Sequence, residues 1–138
     1  MAPAKKKIEE LNYNDQISYY PKHTWVRMEE DKITIGISDF AQDQLGELIF
    51  VELPAVGDEF QQGETFGQAE SAKSVSPLIM PLSGKVTAVN EALEDDPELL
   101  NQAPYQDGWI IKIETKDLTE LKELLTSVQY KEFLQNQA

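Results

Sequence analysis

Glycine punctuation constrains this chain more than any other feature. Gly57, Gly63, Gly67 and Gly84 cut its middle into segments of a few residues each, too short for ordinary helices and suited to short strands joined by tight turns. The flanking segments have strand composition. His23 to Met28 (HTWVRM) and Lys32 to Ile37 (KITIGI) are rich in β-branched and aromatic residues, and the acidic turn Glu29-Glu30-Asp31 joins them as in a hairpin. Glu47 to Leu53 (ELIFVEL) is a further strand ending at Pro54, followed later by Gly84 to Val89 and Gly108 to Ile113. In the last, Trp109, Ile111 and Ile113 alternate with Ile110 and Lys112, so both faces are apolar and the strand belongs at the centre of a sheet.

The helices are short. Ser38 is an N-cap for DFAQDQL and Gly46 its C′ residue; Asn90 caps EALED, and Asp96 caps a further turn with Pro97 at the first helical position. Asp117 and Glu120 form a capping-box-like pair ahead of Leu118, Leu121, Leu124, Leu125 and Val128, spaced as one face of a terminal helix packed on the sheet. The expected fold is mostly β with short helices, a sandwich or flattened barrel with a C-terminal helix. With 138 residues, 41% of them apolar, the chain is expected to form one domain over 1–138, with an N-terminal extension at 1–17 and a helical segment at 117–136.

Twelve basic residues stand against 25 acidic ones, a formal charge of −13, which repels phosphate backbones and anionic membranes. Nucleic acid and membrane are therefore excluded as partners. Lys5 to Lys7 suggest the first region of a signal peptide, but Glu9 and Glu10 stand where an apolar run is required, and no run of about 18 apolar residues occurs anywhere. The expectation is a cytoplasmic monomer. Cysteine is absent, so disulfides, thiolate metal sites and a cysteine nucleophile are excluded. His23 is the single histidine, which leaves no histidine-based triad or metal cluster, and Glu94-Asp95-Asp96 lacks the alternating ligands and glycine turn of a calcium loop. No catalytic or metal site is expected, so the chain is not an enzyme on its own. Trp25, Phe50 and Trp109 read as core, His23 as a hairpin residue with a local hydrogen bond, and Gly63 and Gly84 as turn residues bracketing a hairpin.

Within that hairpin lies AESAKSVSPLI, which sets Lys73 among small and hydroxylated neighbours, with Glu70 three positions before it. Three strings carry a resemblance: ISDFAQDQLGELIFVELPAVGDEF, GQAESAKSVS and PLSGKVTAVNEALEDDPELLNQAPYQDGWIIKI. In order and spacing they resemble the H-protein family of the glycine cleavage system, lipoyl-bearing carriers with a barrel-sandwich hybrid fold. The resemblance implies that Lys73 carries lipoic acid through an amide bond and that Glu70 and Ser71 complete a motif read by a lipoate ligase or lipoyltransferase. Biotin carriers place their lysine between two methionines, whereas Ala72 and Ser74 flank it here. An amide removes the lysine's charge and leaves a long apolar tether, so the arm can leave one pocket and enter another without a hydrated ammonium. Tethering raises the effective concentration of the cofactor at docked partners. The missing cysteines fit this use, because an exposed thiol would exchange with a dithiol arm.

The sequence departs from the family in two places. Family members follow the first histidine with Glu-Trp and have an aspartate after the serine beyond the lysine; this chain has His23-Thr24-Trp25 and Ser76-Pro77. A carboxylate facing an amine forms a charge-assisted hydrogen bond of roughly 1.5–3 kcal/mol, so both changes weaken a cleft built to hold an aminomethyl cargo. Two pathways follow from this: service to the glycine cleavage enzymes, or a role like that of H-like lipoate-binding proteins that carry sulfur to a heterodisulfide-reductase-like complex. By position in the family, Thr24, Gln44 and Pro77 are expected to border the arm's resting cleft.

Overall fold

A computed structural model describes residues 6–29, 32–115 and 118–137. Its strands are β1 (Ser18–Tyr19), β2 (Thr24–Glu29), β3 (Lys32–Ile37), β4 (Leu48–Glu52), β5 (Glu59–Phe60), β6 (Thr65–Ser71), β7 (Val75–Ile79), β8 (Gly84–Val89) and β9 (Ile111–Glu114). Short helices α1 (Asp39–Leu45), α2 (Ala92–Asp95) and α3 (Leu99–Gln102) connect them, α4 (Ser127–Gln137) follows, and 3-10 turns cover Ile8–Glu10 and Leu118–Glu123. The strands form a six-stranded sheet ordered β1-β2-β3-β9-β8-β5 and a three-stranded sheet ordered β4-β6-β7.

Alternation along the strands explains how the layers stack. On β2 and β3, Val26, Ile33, Ile35 and Ile37 join Leu48, Val51, Phe66, Ala69 and Leu78 from the smaller sheet in one core. The opposite face, at the β1–β2 end, holds Tyr19 and Trp25, which pack against Leu11, Ile17, Tyr130 and Leu134 in a second cluster. β2 is thus buried on both sides near its start, and α4 closes the second face.

Several local expectations hold. Ser38 Oγ accepts a hydrogen bond from the Ala41 N–H at 3.2 Å, and Gly46 ends α1 at φ 80. Asn90 Oδ1 accepts from the Ala92 N–H at 3.3 Å, although the N-cap position of α2 is Glu91 rather than Asn90, and its Nδ2 donates to the carbonyls of Asp107 and Trp109. β9 lies between β3 and β8, central as its two apolar faces require, although it begins at Ile111 rather than Gly108.

Other expectations are corrected. The leucine spacing does not form one helix across 117–136. Residues 118–123 are a 3-10 turn, Leu125 makes an isolated bridge to Tyr19, and the α-helix starts at Ser127. Leu118, Leu121 and Leu124 are three apart, which suits 3-10 geometry as well as α. Val128, expected on the packed face, is exposed. Phe50 is exposed too, not core. Gly63 is a turn residue at φ 91, but Gly84 has no positive φ; it is glycine because a Cβ there would stand 2.5 Å from the Glu114 carbonyl oxygen. The turn residues Glu30 and Asp31, the capping residue Asp117, and Lys5 lie outside the described residues. Among those described, no helix is long and apolar enough to cross a membrane, and no cluster of acidic or histidine side chains is placed to hold a metal.

Candidate functional site

The site grows from the β6–β7 hairpin. Ala69 pairs with Ser76 and Glu70 with Val75, and the Ser71 N–H donates to the Ser74 carbonyl at 2.9 Å, leaving Ala72 and Lys73 at the apex. Ser71 Oγ stitches the turn from inside: it donates to the Ser74 carbonyl and accepts from the Ser74 N–H, each at 3.3 Å. Ser71, expected in the motif read by the lipoylating enzyme, is 6% exposed and shapes the loop. Ala72, Lys73 and Ser74 are all exposed. Among the described non-glycine residues only His23 has positive φ, so Lys73 sits on an unstrained backbone.

The lysine is available. Among the described residues the ion pairs are Lys6 with Asp39 and Arg27 with Glu29, and no hydrogen bond holds the Lys73 ammonium. Glu70 is half-buried one pair below the apex. A long group amide-linked at Lys73 therefore meets neither a competing carboxylate nor a covering side chain, and the residues present fit a tethered lipoyl group.

The three residues expected at a resting cleft are placed differently from one another. Thr24 is 1% exposed, and its hydroxyl donates to the Ile79 carbonyl at 2.9 Å. It ties β2 to the end of β7. Pro77 is exposed on β7 opposite Gln68, and Gln44 is exposed on α1.

Beside Thr24, His23 contributes to structure. Its backbone N–H donates to Tyr20, the local bond expected of it, whereas its Nδ1 bonds the Tyr130 hydroxyl at 2.8 Å. That hydroxyl also bonds Ser38 Oγ at 2.7 Å. The imidazole packs 4.9 Å from Phe40. Burial, with Lys22 as a smaller second cause, pushes its pKa down to about 4. Sequence reasoning missed this aromatic cluster, because its members come from residue 13 through 133 with no shared period.

A solvent-facing lysine at a hairpin apex, mounted on two packed sheets, is the arrangement of a carrier domain of the lipoyl and biotinyl class. The particular family follows from comparison: the glycine cleavage H-protein family matches residues 17–137, and the chain belongs to it. It is 48% identical to the glycine cleavage system H protein of Halalkalibacterium halodurans, over 89% of this chain and 96% of that one. It is 51% identical to the protein of the same name from Geobacillus thermodenitrificans, over 87% and 94%. The crystal structure of a glycine cleavage system H protein from Mycobacterium marinum superposes with a TM-score of 0.81 at 35% identity, covering 91% of this chain and 99% of that one.

By family membership the chain is a non-catalytic carrier of covalently attached lipoic acid that works with the glycine cleavage enzymes. The sulfur-carrier alternative drew on Thr24 and Pro77 alone; the family and these relatives support the glycine cleavage role in its place.

Proposed function

We propose that Lys73 is the residue bearing the lipoyl arm, that a lipoate ligase or lipoyltransferase installs it, and that the chain acts in the cytoplasm as a monomer shuttling the arm among the glycine cleavage enzymes. One observation carries the assignment: Lys73 is exposed at the apex of the β6–β7 turn and free of ion pairs and hydrogen bonds among the described residues. When bound, the lipoyl group supplies a dithiolane that takes up and releases cargo. The chain supplies the rest. Ser71 fixes the turn from which the arm leaves, Ala72 and Ser74 leave its base unobstructed, and Glu70 offers an acid one pair below to an approaching cationic surface. Pro77 and Gln44 are solvent-facing candidates to touch the arm at rest.

Intact mass after expression in a lipoate-competent host tests the assignment. The wild-type chain should gain one lipoyl group, mapped to the peptide containing Lys73, and Lys73→Ala should gain none. Retention of the added mass in Lys73→Ala would place the arm elsewhere.

A further inference from the structure

Successive strand residues point to opposite faces, so an inward Leu48 should bring Phe50 inward and leave only Ile49 outside. The β4–β6 pairing instead shifts register between Leu48 and Phe50, a bulge, and bulges re-aim side chains. As a result Leu48 and Val51 are buried while Ile49 and Phe50 between them are 55% and 54% exposed. The core gains nothing from this. Phe50 pairs with Glu70, and Glu70 pairs on its other side with Val75, itself 54% exposed. Directly paired residues share a face. A row Phe50–Glu70–Val75, with Ile49 beside it, therefore crosses the outward face of β4-β6-β7 and ends two residues from Lys73. Apolar groups on an edge strand invite unwanted pairing, a hazard that contact with a partner explains.

We infer that this row is the docking face for the enzyme that acylates Lys73, whose surface presents an apolar patch with a cationic group opposite Glu70. The inference rests on the assignment of the arm to Lys73. The reaction selects the occupant. The neutral Nζ attacks the carbonyl carbon of an activated acyl donor such as lipoyl adenylate, a mixed anhydride; the C–N amide bond forms, the bond from the acyl carbon to the phosphate oxygen breaks, AMP leaves with that oxygen, and the nitrogen's proton passes to solvent. No oxidation or reduction occurs. For this attack the enzyme must close over Nζ itself, and Val75 lies within about 7 Å of Lys73 along the chain, two strand rises away. An enzyme that reaches Nζ thus covers the row. Enzymes that use the finished arm meet its far end and can stand off from the sheet.

The test is steady-state acylation of the apo-protein by a lipoate–protein ligase with lipoate and ATP, read by intact mass. Phe50→Ser and Val75→Ser should each raise KM about tenfold with kcat preserved at saturation, and Phe50→Leu should restore most of the loss. Val128→Ser, an exposed apolar change on α4, should leave both constants unchanged. Thermal melts establish that each variant is folded, and should Phe50→Ser unfold, Val75→Glu carries the same expectation. Wild-type KM in the folded Phe50 and Val75 variants overturns the docking face, as does a concentration-dependent dimer that these variants dissolve. Failure of the wild-type chain to acquire lipoate at Lys73 overturns the arm assignment, and the docking face with it.

Discussion

At the residue scale, the exposed hairpin apex around Lys73 was legible because small neighbours in sequence decide it, whereas the lysine's role came from the resemblance to the family and is a proposal. His23 was not legible, since its partners Tyr130, Phe40 and Phe133 lie far along the chain. Its environment makes a prediction. The unfolded chain binds a proton at the ordinary 6.5, whereas the folded chain resists protonation down to about 4. The unfolded state holds more protons in that window, so this residue's contribution makes stability fall as pH drops from 6.5 towards 4. Asn is the suitable probe, because it tolerates the left-handed backbone that His23 adopts at φ 75. In urea titrations between those pH values, His23→Asn should show a shallower loss of midpoint than wild type. Equal slopes would mean that the imidazole is not held neutral by its surroundings.

At the element scale, period and punctuation gave the β2–β3 hairpin, β8, α1 and its caps, because each is decided by neighbours in sequence. The bulge in β4 and the broken terminal helix were hidden. A strand's phase reverses when a bulge adds one residue, and within ELIFVEL the four apolar residues between Glu47 and Glu52 do not mark at which position this happens. In the β2–β3 hairpin Trp25 pairs with Gly36, and the indole lies over the glycine so closely that a Cβ would stand 2.6 Å from its ring. The indole N–H donates to the Pro104 carbonyl at 3.0 Å, so the ring cannot slide aside without losing that bond. Gly36→Ala should therefore destabilise the fold by about 1–3 kcal/mol, as overpacking does, with a change in tryptophan fluorescence of the native state. A variant as stable as wild type would show that the hairpin yields freely at this point.

For the whole molecule, the short glycine-punctuated strands pointed to a sandwich but did not reveal that its core is divided. One cluster lies between the sheets, and the other lies under α4, where Tyr19 and Tyr130 stack 4.4 Å apart. The sequence signal for α4 is weak because Tyr130, Phe133 and Leu134 reach the cluster from a helix that is otherwise polar except for the exposed Val128. Charge acts over the entire surface. A net −13 repels itself most in the compact state, where the carboxylates are closest together. The screening length shrinks from about 30 Å at 0.01 M salt to about 8 Å at 0.15 M. Adding sodium chloride over that range at pH 7 should raise the urea midpoint, whereas stability governed by ion pairs such as Arg27 with Glu29 would fall. The same screening should slow association with a cationic partner surface, since long-range attraction governs the encounter rate. Salt should thus stabilise the carrier while weakening its docking. A midpoint that falls with added salt would show that paired charges, not the unpaired acids, dominate its electrostatics.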